Sequence, residues 1–123
     1  MAITVSGSSI TFPDATTQST APIGLGTTWT NVTSSRAFST TYTNSTGKYI
    51  EVSVTGTYSS ASEGNRGVEA YINGSVIGLQ QTYTPSAAGS PFVNIAFLVP
   101  PGATYKIVNT GILNTLTYWW ELR

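Results

Sequence analysis

The chain contains no cysteine and no histidine. Without cysteine there is no disulfide framework, the usual support of small exported domains. Without either residue, Ser-His and Cys-His nucleophile pairs and the common zinc sites are excluded. Charge is scarce as well. Charged residues make up 8% of the chain, and five bases cancel five acids. A neutral chain has no basic stripe for nucleic acid and no polybasic segment for a membrane surface. No apolar run approaches the roughly 20 residues of a membrane-spanning helix, so no membrane insertion is expected. The opening "MAITVSGSSI" lacks the basic start and apolar core of a signal peptide. Helical periodicity is absent throughout. Gly24-Leu25-Gly26 lacks the rest of a phosphate-binding loop and the helix that should follow it. No cluster of oxygen ligands would hold calcium. No cofactor is expected.

Aromatic residues are plentiful, with 3 Trp, 7 Tyr and 4 Phe, and hydrophobic residues reach 40%. Disordered chains are poor in both. A length of 123 residues suits one domain. Its surface is rich in Thr, Ser, Asn and Gly. "YIEVSVTGTY" (49–58) alternates, with Ile50, Val52 and Val54 on one face and Glu51, Ser53 and Thr55 on the other. "VEAYINGSVIGLQQ" carries Asn73-Gly74 between two β-rich runs, a tight-hairpin signal. "FVNIAFLV" (92–99) is stopped by Pro100-Pro101-Gly102. "TYKIVNT" (104–110) alternates again, and "TLTYWWELR" closes the chain. "TTWTNVT" and "RAFSTTYT" read as two shorter strands. Gly64-Asn65-Arg66-Gly67 and 85–91 read as exposed loops. Turn signals recur about every 10 residues, the spacing of a sandwich or barrel. The expected fold is an all-β antiparallel sandwich.

The acids are scattered, and no enzyme is expected. Glycosidases need only two facing carboxylates, so Asp14, Glu51, Glu63, Glu69 and Glu121 are the candidates to weigh. Glu51 and Glu121 are expected to be solvated or paired with Lys48, Lys106 or Arg36. Asp14 follows a proline, where its carboxylate can cap backbone amides. Asn31, Asn44 and Asn73 each begin a glycosylation triplet, which in a Ser/Thr-rich chain arises by chance. Recognition or assembly is left. Tyr, Thr, Ser and Asn on β surfaces suit saccharides, by stacking and hydroxyl hydrogen bonds. The contacts expected for a ligand or receptor are Tyr58, Glu63, Arg66 and Tyr83, all read as loop-borne.

Two strands are apolar on both sides. In the last, Leu116, Tyr118, Trp120 and Leu122 share one face, while Trp119 lies on the other beside Thr115, Thr117 and Glu121. In "FVNIAFLV", Val93, Ile95, Phe97 and Val99 share one face, with Phe92, Ala96 and Leu98 opposite. A sandwich strand has one core to face, so a second cover is needed. A subunit interface is expected at Trp119. At Phe92 an interface competes with a covering loop or arm.

"ITFPDATTQSTA" resembles a short segment of tailed-bacteriophage structural proteins, in which an apolar strand leads into a phenylalanine, an Asp-Gly turn and a Thr/Gln/Thr/Ala tail. Phe12, Asp14, Thr16, Gln18, Thr20 and Ala21 match. Ala15 stands in place of the glycine, which puts the tight turn in question. "VPPGATYKI" and "YWWELR" resemble the last strands of tail-fibre tips and related virion proteins. The resemblance covers roughly residues 9–21 and 92–123. It implies a jelly-roll-like head and a homotrimer, made in the host cytoplasm and carried on the virion surface. Residues 1–22 are then an extended N-terminal arm, with Phe12, Asp14 and Gln18 in attachment, and 23–123 the sandwich. The partners implied are further copies of the chain, other virion proteins and a host cell-surface glycan. Two roles follow, a receptor-binding tail-fibre tip or a capsid-decorating protein. A chain that starts at Met1 has no room for a long shaft, which favours decoration; a chain that continues upstream favours the tip. A free lectin-like module is a third reading, weakened by the missing export signal.

Overall fold

The computed structural model describes residues 4–6, 9–15, 17–18, 26–58, 63–84, 92–111 and 114–123. Three short strands come first: β1 (Thr4–Ser6), β2 (Ser9–Thr11) and β3 (Thr17–Gln18). They pair with one another as an antiparallel sheet in the order β1-β2-β3. The segment expected to be extended therefore folds back on itself twice. Ala15 N–H donates to Phe12 O at 3.0 Å, with Ala15 at φ +65°. The turn keeps the left-handed conformation that a glycine would occupy freely.

Eight strands follow: β4 (Trp29–Asn31), β5 (Tyr42–Thr43), β6 (Ile50–Tyr58), β7 (Gly64–Ile72), β8 (Ser75–Thr84), β9 (Phe92–Val99), β10 (Thr104–Gly111) and β11 (Asn114–Leu122). They form two four-stranded antiparallel sheets, β4-β11-β6-β9 and β5-β10-β7-β8. The pairs β4/β11, β5/β10, β6/β9 and β7/β8 are nested one inside the next. This is a β-sandwich, as the alternation predicts. Among the described residues the only helical segment is a 3-10 turn at Thr33–Ser35.

The core lies between the sheets. Ile50, Val52, Val54 and Tyr58 of β6 are buried, as are Val93 and Val99 of β9 and Trp119 of β11. Val68 and Ala70 of β7 and Tyr105 and Ile107 of β10 face them from the other sheet. Asn73 (φ +49°) and Gly74 (φ +82°) make the β7–β8 turn, since two positive φ values match the twist of a two-residue hairpin.

Three further expectations change. Arg36–Ser39 is not a strand, and "RAFSTTYT" contributes only the two residues of β5. Gly64-Asn65-Arg66-Gly67 is not a loop but the start of β7. Gly67 has no room for a side chain there. A Cβ would stand 2.6 Å from Gln80 O and 2.8 Å from Thr110 Oγ1. Close approach of neighbouring strands, rather than a turn, selects that glycine. Trp119 is fully buried within its own subunit, not at an interface. The cause is a β-bulge: the β11–β6 register shifts between Leu116 and Tyr118. Leu116 packs on the core before the bulge, and Trp119 and Glu121 face inward after it. An extra residue in one strand reverses which positions point inward.

Candidate functional site

The four residues expected to touch a ligand separate into two pairs. Tyr58 and Arg66 are buried, so neither presents its side chain at the surface. Their strands, β6 and β7, lie in opposite sheets. The Arg66 guanidinium stacks over the Tyr58 ring at 5.1 Å from its centroid. Burial pushes the Tyr58 pKa up to about 12, against the charge of Arg66, which lowers it. Glu63 and Tyr83 remain on the surface, where the Tyr83 hydroxyl donates to the Glu63 carboxylate. Cross-strand pairing brings them together: Asn65 lies opposite Tyr83 and Gly64 opposite Thr84. The expected loop at 85–91 lies outside the described residues. In the arm, Phe12 and Asp14 are exposed and Gln18 pairs with Ile10 in the small sheet.

The most elaborate polar cluster is internal. Glu121 is fully buried beside Trp119. Its carboxylate accepts from Arg36 Nε at 2.9 Å, Arg36 Nη2 at 3.1 Å, the Tyr105 hydroxyl at 2.7 Å and Trp119 Nε1 at 3.2 Å. Arg123 Nη1 adds an ion pair to the same carboxylate at 3.4 Å. Such pairing is what a buried carboxylate requires. Burial works to lower the Arg36 pKa, but the Glu121 hydrogen bond and the charges of Tyr105 and Glu121 raise it. Burial, then the hydrogen bond to Glu121, pushes the Tyr105 pKa well up. Tyr42 joins the cluster, edge-on to Trp119 at 5.8 Å and under the Arg36 guanidinium at 4.4 Å. Two other acids are engaged: Glu63 accepts from Tyr83 and Glu69 from Tyr71 at 2.8 Å. Among the described residues no three His, Cys, Asp or Glu side chains gather as a metal site.

Asn44, the first residue of one glycosylation triplet, is buried. Its Nδ2 donates to the carbonyls of Lys48 (2.8 Å), Val99 (3.0 Å) and Pro100 (3.0 Å). An amide used in this way holds the 44–48 loop against the end of β9.

Among the described residues, a hollow and a sheet face stand open for recognition. A shallow hollow of about 140 Å³ is lined by Thr41, Tyr71, Gly74, Thr104, Tyr105 and Lys106. Lys106 Nζ sits 4.6 Å from the Tyr71 ring centroid. The larger surface is the outer face of β4-β11-β6-β9, where Phe92, Tyr118 and Trp120 are exposed. Phe92 was legible as outward from the alternation of "FVNIAFLV". No local signal marks Tyr118 and Trp120 as outward, because the bulge between Leu116 and Tyr118 is not encoded by any turn residue. No protein-family model, curated protein or solved structure matches the chain.

Proposed function

We propose that this chain is a non-enzymatic structural protein of a bacteriophage virion, serving as a homotrimeric receptor-binding head at a tail-fibre tip. The observation that carries the reading is the nested strand pairing, β4/β11, β5/β10, β6/β9 and β7/β8. One long antiparallel ribbon rolled into two sheets gives that order, which supports a jelly roll, an architecture common in capsid and lectin domains. Together with the "ITFPDATTQSTA" and "YWWELR" resemblances, it favours a virion protein over a free lectin. The engagement of Glu121, Glu63 and Glu69 by Arg36, Tyr83 and Tyr71 favours binding over hydrolysis. The ligand would be a host cell-surface glycan.

Decoration of the capsid is the second reading. The separate β1-β2-β3 sheet favours it, because an element outside the sandwich sheets is free to clip onto a shell. One experiment tests both. The purified protein is added to host cells before the phage, and labelled protein is located on virions by electron microscopy. A tip head lowers phage adsorption and labels the tail; a decorating protein labels the shell and leaves adsorption unchanged. Absence of label from tail and shell overturns both. Reducing ends released from host polysaccharide would overturn the non-enzymatic reading.

A further inference from the structure

We propose that the outer face of β4-β11-β6-β9 is covered by a second copy of this chain, which lays its β8 edge across it. The proposal rests on the homo-oligomer reading above and names its contact. Register places the face's side chains in consecutive rows. Trp29 lies opposite Leu122, Leu122 opposite Glu51, and Glu51 opposite Leu98. Trp120 lies between Asn31 and Ser53 in the next row, and Tyr118 opposite Thr55 beyond it. Thr57 and Phe92 extend the surface on the β6–β9 side. Trp29 is 43% exposed, Trp120 37%, Tyr118 52%, Leu98 48% and Phe92 70%.

Aromatic side chains bury roughly 150–250 Å² each, so these four aromatics together with Leu98 leave on the order of 500 Å² of mainly apolar surface open. The largest apolar patch on a typical monomer is about 300–600 Å² and is often functional, and this one stands in the upper part of that range. A stable interface buries about 800 Å² per partner, and this patch would form most of one. Across those rows the only charge is Glu51. A charged partner would find little to pair with.

The same chain carries a surface suited to fill it. Among the described residues β8 pairs with β7 alone and forms the edge of the other sheet. Val76, Ile77 and Leu79 on it are about half exposed. Its ten residues, SVIGLQQTYT, include no charge and no proline, the usual protections of an open edge. An apolar edge without protection needs a cover, and so does the aromatic face. A face-to-face dimer would cover the face and leave the edge. A head-to-tail contact, edge onto face, covers both, and repetition closes a ring when the rotation allows. Three copies is the number the phage resemblance implies.

The test is mass by light scattering at about 10 µM, where a Kd of about 1 µM leaves most of the protein assembled. The wild type should be an oligomer. Trp120→Ser on the face and Leu79→Ser on the edge should each weaken assembly, the tryptophan change by about thirtyfold or more. Tyr118→Ser replaces Trp120→Ser if circular dichroism shows that variant unfolded. Mixed together, the two variants should form a heterodimer, since one retains an intact edge and the other an intact face. A wild-type monomer overturns the proposal together with the oligomer reading. An oligomer unaffected by either variant overturns the assigned surfaces and leaves the oligomer reading standing. Dissociated variants that fail to complement overturn the head-to-tail contact. Binding of the wild-type monomer to a glycan array, lost in Trp120→Ser, would show a saccharide as the occupant instead.

Discussion

Four hydrogen bonds from Arg36, Tyr105 and Trp119 and an ion pair with Arg123 converge on the Glu121 carboxylate. The charge is tolerable inside the sandwich only because they do. Removing one member of a buried charge pair costs up to about 3–5 kcal/mol, and here Glu121 is fully buried while the Arg36 side chain keeps 15% exposure. Arg36→Ala and Glu121→Ala should each lose that order of stability in urea unfolding. The double variant should lose less than the sum by at least about 1 kcal/mol, since each change removes the same interaction. Simple additivity would show the two groups to be uncoupled. The pairing of Glu121 with Arg36 was among the sequence-level possibilities, because both are charged and sparse neighbours leave few choices. Its burial was not, since nothing local marks a glutamate beside two tryptophans as inward-facing.

At the scale of elements, the β2–β3 turn isolates one conformational choice. Ala15 occupies φ +65°, where an L-residue pays about 1–2 kcal/mol over its ordinary conformations. Glycine removes that strain but gives up roughly 0.5–1 kcal/mol to chain entropy. Ala15→Gly should therefore stabilise the small sheet slightly. Hydrogen exchange at the residue-15 amide, bonded to Phe12 O, should slow about threefold, while sandwich amides stay unchanged. Faster exchange in the glycine variant would mean that the turn is not left-handed in solution. The β7 strand makes the opposite point. Its glycines read as a loop by composition, yet Gly67 is required by strand contact, which only the assembled sheet reveals.

For the whole molecule, the buried tyrosines set the alkaline limit of stability. Unfolded tyrosine loses its proton near pH 10. Tyr58 in the folded protein holds its proton to about 12, and Tyr105 is raised in the same direction by burial and Glu121. The folded state thus binds more protons than the unfolded state above pH 10. The stabilisation is full below about pH 10 and is lost as pH rises through the folded values. Thermal melts should hold steady from pH 8 to 9 and fall steeply above 10. Tyrosinate absorbance should show a subset of the seven tyrosines titrating only with unfolding. All seven ionising together near pH 10, with the fold intact, would contradict the buried assignment.

The sequence by itself determined the class of the protein and most of its strands. Period-two alternation in 49–58 and 104–110 is a local property, since each side chain's face follows from its neighbours. Asn73-Gly74 likewise specifies its turn through its own backbone preferences. Tertiary structure decided what lies opposite what. One inserted residue near Thr117 turned Trp119 into the core and left Tyr118 and Trp120 outside. Arg36 came to Glu121 across 85 residues, and Arg66 to Tyr58 across the sandwich. Such pairings depend on sheet register and on the approach of distant strands. Those are fixed by the packing of all eight strands together, and no short stretch of sequence contains them.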